Sequence, residues 1–301
     1  MPSSHRSSLL MTPLAKQVAN ITGSTARSTT GSLPKSERLT PPLKWAGGKR
    51  WLVQYLQQPW QKHSDRRLVE PFCGGLAIAL GLQPHKALLN DINPHVVNFY
   101  KCLQKGLKLE IETENIREFY YAQRAEFNRL IQVGESDTPK AAQLFYYLNR
   151  TGYNGLCRFN QKGGFNVPFG KYKTINYNPD FTSYKSTLSQ WKFTNLDFGK
   201  IRIAPNDLIY ADPPYDVEFR QYSKNGFEWS EQERLAKWLA NQNCPTIASN
   251  QATDRILTLY KDLGFEYVIL DAPRRISCNG DRVPAKEMLA YKGLNGGLEL
   301  S

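Results

Sequence analysis

The 301-residue chain contains no apolar run near the roughly 18 residues that a membrane-spanning helix needs. Its richest stretch, Leu76-Ala-Ile-Ala-Leu80, stops at Gly81, so no membrane span is expected. Cysteine is scarce and scattered: Cys73, Cys102, Cys157, Cys244 and Cys278 include no Cys-x-x-Cys pair. That argues against a thiolate zinc site, and the odd number argues against a disulfide framework, so a reduced intracellular protein is expected. The four histidines, His5, His63, His85 and His95, lack metal-ligand spacing, and no metal is expected. Acids are also short, 27 against 39 Lys and Arg, and the formal charge of +12 predicts an anionic partner. What is present, 41% hydrophobic and 12% aromatic residues, is enough for a core and excludes wholesale disorder.

Residues 1–40 are rich in Ser and Thr, carry Glu37 as their only acid and show no sustained periodicity. They read as a flexible tail, a composition also found in organellar transit peptides. From Pro41 onward, short apolar runs alternate with helical patterns, which predicts an α/β domain with a mostly parallel sheet. Strands are expected at Arg67–Glu70, Ala87–Asn90, Asp207–Tyr210, Thr246–Ser249 and finally Met288–Tyr291. Helices are expected at Trp51–Leu56, at Leu76–Leu82, and between the third and fourth strands, where Ser230-x-x-Glu233 reads as a capping box ahead of Leu235, Ala236 and Leu239. An interval from about Asn93 to Trp191 breaks the rhythm. It is helical through Phe99, Leu103, Ile116, Phe119, Phe127 and Leu130 and again over Ala141–Leu148, then rich in Gly, Asn and aromatics from Thr151 to Tyr172. Such an insertion predicts a separate small domain, residues 96–189, inside a catalytic domain made of 41–95 and 190–301.

Two motifs carry chemistry. In Glu70-Pro-Phe-Cys-Gly-Gly75, a strand runs into a glycine turn that opens a helix, so the backbone of Phe72, Cys73, Gly74 and Gly75 can approach a ligand. Such a turn is often only tight geometry. Asp91, at the tip of the next strand, adds a carboxylate suited to ribose hydroxyls. There is no full Gly-x-Gly-x-x-Gly and no Gly-Lys-Ser/Thr element, so an adenosine without pyrophosphate fits better than a dinucleotide or triphosphate, with S-adenosylmethionine as the candidate.

The second motif, Asp212-Pro213-Pro214-Tyr215, follows an apolar strand at the edge where open α/β sheets bind ligands. A Pro-Pro stop explains the prolines but not the Asp before them or the Tyr after. An exocyclic base amine is a poor nucleophile because its lone pair is delocalised into the ring. The Asp212 carboxylate and the Pro213 carbonyl, each accepting one N–H, would localise that pair for attack on an electrophilic methyl. The rigid Pro213-Pro214 would hold the acceptors and Tyr215 would stack on the base. Chemistry on such a base implies base flipping. Pro42-Leu-Lys-Trp-Ala-Gly-Gly-Lys49, basic and glycine-rich, is alone an ordinary turn before a helix, but beside these motifs it reads as a lid over the cofactor.

Six ordered segments, Lys44–Lys49, Glu70–Gly75, Asn149-Arg-Thr-Gly-Tyr-Asn-Gly-Leu-Cys-Arg158, Phe165-Asn-Val-Pro-Phe-Gly170, Asp212–Tyr215 and Arg274-Arg-Ile-Ser-Cys-Asn-Gly280, resemble the Dam family of DNA adenine N6-methyltransferases from about Pro41 to Lys292. The resemblance implies a Rossmann-like S-adenosylmethionine-dependent methyltransferase sheet with an inserted, mostly helical target-recognition domain carrying a β-hairpin. It implies that Trp45, Lys49, Asp91 and Asp212 contact S-adenosylmethionine and that the target is adenine in a GATC-type site of double-stranded DNA. Lys44 would read a guanine of the first base pair and Arg158 the second guanine's pair. Leu156 and Pro168 would face thymine methyls with Tyr172 close by, Tyr153 would wedge into the stack, and Asn154 would help hold the opened site. A cytoplasmic place in a bacterial or phage-infected cell is implied, with no obligate protein partner evident. The chain departs from the family pattern in its N-terminal extension and at the hairpin tip, Gln161-Lys-Gly-Gly164, which bears on flanking-sequence preference.

The residues of the hairpin agree on their own terms. Arg150 to Lys192 holds seven cations against the single acid Asp180, interleaved with nine aromatics, which suits phosphate contacts plus base wedging. Any one of these lysines reads equally well as a solvated surface charge. Arg158 stands out because a guanidinium bonds guanine in two places at once. Arg274-Arg275 and Asn279-Gly280 read equally as a phosphate-contacting loop or a charged hairpin turn. Cytosine C5 chemistry is disfavoured, since Phe72 rather than proline precedes Cys73. Cytosine N4 or RNA amine methylation shares the acceptor motif, and a catalytically silent DNA-binding regulator is the reading from another class.

Overall fold

The computed structural model describes residues 39–216, 227–273 and 285–298. The expected N-terminal tail, but for its last two residues, and the basic loop Arg274–Gly280 lie outside them. Along the chain run α1 (Val53–Gln61), β1 (Arg67–Glu70), α2 (Ala77–Leu82), β2 (Ala87–Asn90), α3 (Pro94–Gln104), α4 (Arg117–Gln132), α5 (Pro139–Thr151), α6 (Thr182–Leu188) and β3 (Trp191–Thr194). They are followed by β4 (Asp207–Ala211), α7 (Trp229–Ala240), β5 (Thr246–Gln251), α8 (Asp254–Asp262), β6 (Glu266–Ala272) and β7 (Ala285–Lys292). Among the described residues no helix is long and apolar enough to cross a membrane.

The strands form one seven-stranded sheet in the order β3-β2-β1-β4-β5-β7-β6. The first five are parallel, and β7 runs antiparallel to both β5 and β6. Connections diverge between β1 and β4, and at such a switch point the carboxyl ends of two neighbouring strands leave a crevice. Side chains alternate strictly across the sheet. Leu68, Leu89, Tyr210, Ile247 and Leu289 enter one core; Val69, Leu88, Ile209, Ala211, Ala248 and Met288 enter the other, under α7 and α8. The α/β architecture with a mostly parallel sheet expected from the sequence is what this pattern builds.

The expected strands appear where apolar runs meet Gly or Pro. Two that were not expected, β3 and β6, lie at the sheet edges and bury only part of their residues. The capping box is corrected: α7 begins at Trp229 with Glu228 as N-cap, no side chain caps it, and Ser230 lies inside the helix. Leu235, Ala236 and Leu239 are buried as expected.

Residues Arg38–Ser301 cluster as one compact unit. Helices α3, α4 and α5 share the first core with the sheet through Phe99, Tyr100, Phe127, Phe145 and Tyr146. The boundary expected at residue 96 falls inside α3. After α5 the chain loops out and back, tied by isolated antiparallel bridges Gly152↔Phe169 and Phe159↔Phe165, a hairpin without regular strands. Asn128 of α4 clamps it, its amide donating to the Phe165 carbonyl at 3.1 Å while its oxygen accepts from the Phe165 N–H at 2.7 Å.

Candidate active site

Strand β4 is buried along its whole length and carries its chain to Asp212 at the switch point, where Pro213 and Pro214 cannot extend the ladder. Asp212 Oδ1 accepts from Ser249 Oγ at 2.9 Å and lies 3.2 Å from Lys49 Nζ. Among the described residues no hydrogen bond reaches Oδ2. Burial raises the Asp212 carboxyl above its ordinary value, opposed by Lys49 and Ser249. The Pro214 carbonyl accepts from Gln232 Nε2 at 2.8 Å, whereas the Pro213 carbonyl takes no hydrogen bond among the described residues. Tyr215 lies with its ring 4.3 Å from Lys49 Nζ, and its buried hydroxyl faces Glu287.

On β1, Glu70 is buried, and burial together with Asp212 pushes its carboxyl well up. Lys49 Nζ is 3.6 Å from Glu287 Oε1 as well as touching Asp212. Buried Glu70 and Glu287 thus flank Asp212, whose side chain stays 22% exposed; Asp212 and Glu287 share the Lys49 ammonium, and Glu70 Oε1 and Glu287 Oε1 lack hydrogen-bond partners among the described residues.

The glycine turn is pinned by Asp91. Its Oδ2 accepts from the Gly74 N–H at 3.0 Å and its Oδ1 from the Asn93 N–H at 2.9 Å. Burial lifts this carboxyl to about 6 against those two donors. Gly74 has φ +42°, and Tyr100 of α3 donates to its carbonyl at 2.6 Å. The sequence offers these glycines as room for a ligand, and the structure shows a second occupant, Trp45. A Cβ on Gly74 would meet Trp45 Nε1 at 2.5 Å and one on Gly75 would meet Trp45 Cβ at 2.8 Å. Cys73 is buried behind the turn. Phe72 turns into an aromatic group with Phe198 and Phe227, at 5.6 and 5.5 Å between centroids. Beside Asp91, Ile92 is an apolar side chain left 69% exposed at a strand end.

The recognition candidates form a third group. Lys44 folds back: its Nζ donates to the Arg150 carbonyl at 2.7 Å and lies 3.7 Å from the centre of the Tyr172 ring. Burial, then Arg150, lower it to about 8. Asn149, absent from the sequence-based candidates, fixes this segment by exchanging bonds of 2.8 and 2.9 Å with the Lys44 backbone. Gly155, at φ +61°, lies so close to Lys44 that a Cβ would come within 2.3 Å of the lysine's own. Tyr153 is 49% exposed, its N–H bonded to the Pro168 carbonyl at 2.8 Å, and Asn154 takes a left-handed φ of +52°. Leu156 is half-buried and Pro168 exposed. Arg158, exposed, spends its fork on Asn166, with Nε to Oδ1 at 2.8 Å and an Nη to the carbonyl at 3.2 Å.

The expected residues thus assemble in three sets: Lys49, Asp212 and Tyr215; Trp45, Gly74, Gly75 and Asp91; Lys44, Tyr153, Asn154, Leu156, Pro168 and Tyr172. Among the described residues no hydrogen bond or ring contact joins Arg158 to the rest of its set. The segment Lys44–Lys49 touches all three. Ser249, Gln232, Asn250 and Glu287 were not anticipated: Ser249 and Gln232 are polar residues inside elements read for their apolar pattern, and Asn250 and Glu287 lie just beyond the strand ends expected from the sequence.

A cationic adenosine cofactor fits the residues present. Three carboxyls, two of them buried and Asp212 half-buried, gathered with one lysine leave room for another positive charge, and the glycine turn with Asp91 and Ile92 offers backbone, carboxylate and apolar surface side by side.

Residues 45–276 match the model of the D12 class N6 adenine-specific DNA methyltransferases. The DNA N-6-adenine-methyltransferase of Escherichia phage P1 is 33% identical over 287 residues, covering 87% of this chain and 37% of that longer protein. The Retron Ec67 DNA adenine methylase of Escherichia coli is 34% identical over 271 residues, 83% of this chain and 90% of that one. The DNA adenine methylase of Vibrio cholerae is 34% identical over 269 residues, 82% and 94% of the two chains. With the family matched across most of its length, the chain belongs to the D12 class of N6 adenine-specific DNA methyltransferases, and S-adenosylmethionine is its methyl donor.

Proposed function

We propose that the chain methylates the N6 amine of a flipped adenine in double-stranded DNA, at a GATC-type site, in the cytoplasm of a bacterial or phage-infected cell. The observation that carries this reading is the pair of open acceptors at the switch point, Asp212 Oδ2 and the Pro213 carbonyl, beside neighbours that are already bonded. A primary amine has two N–H groups. One donated to each acceptor draws the nitrogen toward tetrahedral geometry and localises its lone pair. The raised Asp212 carboxyl suits it to take the proton that the amine sheds once substituted.

Glu70, Asp212, Glu287 and Lys49 would surround the cationic end of S-adenosylmethionine, with Asp91, Gly74, Gly75 and Trp45 at its nucleoside, and Phe72 and Cys73 shaping the turn. When bound, S-adenosylmethionine supplies an electrophilic methyl group. Tyr215 would stack on the base. A base in this crevice has left its duplex. Tyr153, half-exposed beside the left-handed Asn154, suits a wedge, and Lys44, Leu156, Arg158, Pro168 and Tyr172 would read the site, as the resemblance to the Dam family implies.

The test is transfer of a labelled methyl group to duplexes containing GATC, the same duplexes with the site scrambled, cytosine-only targets, and RNA. Label on adenine in the GATC duplex alone is expected. Equal labelling of the scrambled duplex would remove the GATC assignment, and label only in cytosine or RNA would remove the whole reading.

A further inference from the structure

We propose that Ser249 and Asn250, consecutive residues at the carboxyl end of β5, are positioning residues that fix the two acceptors of the target amine from opposite faces of the sheet. The proposal rests on the reading of Asp212 Oδ2 and the Pro213 carbonyl as those acceptors. Both residues are fully buried, and so is Gln232 at 1% exposed, so water cannot supply or replace their hydrogen bonds. Because strand side chains alternate, Ser249 shares the face of Ile247 and Tyr210, whereas Asn250 shares the face of Ala248 beneath α7.

On the first face the direction of bonding is fixed. An ionised carboxylate only accepts, so the single Ser249 O–H is committed to Asp212 Oδ1, and the Tyr210 hydroxyl, 2.9 Å from Ser249 Oγ, must be the donor there. Tyr210 therefore aims Ser249, and Ser249 holds Oδ1. The carboxylate cannot exchange its oxygens without breaking that bond, and Oδ2 is the one presented.

On the second face the order is equally forced. The Gln251 N–H donates to Asn250 Oδ1 at 2.8 Å, so Asn250 must direct its NH₂ at Gln232 Oε1, 2.9 Å away. Gln232 must then turn its own NH₂ to the Pro214 carbonyl. This fixes the peptide next to Pro213 and leaves the Pro213 carbonyl as the acceptor that is not taken. The surrounding α7 face is apolar, with Leu235, Ala236 and Leu239 buried, and a hydrocarbon pair at 232 and 250 would fill the same space. The polar pair makes sense through where its chain of bonds ends.

Each device occupies the group beside a working acceptor and leaves that acceptor open. Two N–H groups must be met at once, and a displacement of about 1 Å costs on the order of 100-fold in rate.

The test uses the full chain with Ser249→Ala, Ser249→Cys, Ser249→Thr and Asn250→Ala. Ser249→Ala and Asn250→Ala are each expected to lower kcat about 10- to 100-fold while leaving KM for DNA within about twofold. Ser249→Thr, which keeps the hydroxyl, is expected to restore turnover, and Ser249→Cys, a near-isosteric weak donor, to fall between and to stand in should the alanine variant not fold. The second readout needs no methyl donor: a ¹³C NMR titration of the Asp212 carboxyl in the protein alone. Its midpoint should move to higher pH in Ser249→Ala, because one bond to the ionised form is gone, and stay put in Asn250→Ala. Normal kcat in both alanine variants with an unmoved midpoint overturns the positioning role, provided Asp212→Asn is inactive. Wild-type activity in Asp212→Asn overturns instead the reading of the acceptors on which the proposal rests.

Discussion

The crevice between β1 and β4 and the loop from Asn149 to Tyr172 solve opposite problems. In the crevice every working group is held by buried protein: Asp212 by Ser249, Pro214 by Gln232, the glycine turn by Asp91 and Tyr100. In the loop the candidate readers are tied to neighbours that are not readers themselves, Arg158 to Asn166 and Lys44, folded onto the loop, to the Arg150 carbonyl. Buried acceptors that cannot reorganise stabilise a transition state without further rearrangement. Exposed donors paired internally must trade those bonds for a base edge, so DNA that cannot match the trade is disfavoured. Under the proposed function, the difference would give rate to one region and selectivity to the other.

The strongest way to break that division is Asp212→Ala. Turnover should fall by at least about 10³-fold while DNA affinity, measured by fluorescence anisotropy, stays within about threefold. A large loss of binding would show that the acceptor edge also carries affinity, and the two regions would not be separable in this way.

The two regions also differ in how far the sequence disclosed them. The strands β1, β2, β4 and β5 were legible because buried parallel strands are apolar runs cut by Gly or Pro. The edge strands β3 and β6 were harder to place, since Trp191-Lys-Phe-Thr is only a short alternation and the apolar run Tyr267–Leu270 follows closely on the apolar pattern of α8. Asp212 and Asp91 were legible because a carboxylate ending an apolar strand is conspicuous. Ser249 and Gln232 were invisible for the opposite reason: single polar residues within a strand or helix read as interruptions until tertiary contact shows what they bond. The available signal was the run of polar residues Ser249-Asn250-Gln251 directly after an apolar strand, of which the structure buries Ser249 and Asn250. In the loop, residue types were legible but their partners were not. Nothing local says that Lys44 folds onto Tyr172, a contact across 128 positions.

His95 lies where the regions meet, at the start of α3 just after Asp91. Its ring stacks on Phe159 of the loop at 4.9 Å and its Nδ1 is buried without a partner among the described residues. Burial lowers its pKa from 6.5 to about 4. The unfolded chain therefore binds more protons than the folded one between those values, and stability should rise with pH from about 4 to 6.5. The full effect of this shift is about 3 kcal/mol. His95→Phe, which keeps an aromatic ring against Phe159, should flatten that part of the stability curve in urea unfolding at several pH values. An unchanged slope would mean that the junction is wet, and that loop and crevice are less firmly joined than the packing indicates.

Arg158→Ala gives the smallest effect and tests the other half of the division. If Arg158 reads guanine as proposed, its loss should relax selectivity at one base pair by about 1–3 kcal/mol, with kcat on the preferred site little changed. The bond to Asn166 makes a second expectation. Asn166→Ala removes the internal partner of the fork but not the fork, so selectivity at that base pair should persist while affinity shifts. Competition between duplexes differing at single positions reads both variants. If Asn166→Ala relaxes selectivity as far as Arg158→Ala, the fork works only when Asn166 aims it. The loop would then be preorganised in the same sense as the crevice, and the two regions would differ in exposure alone.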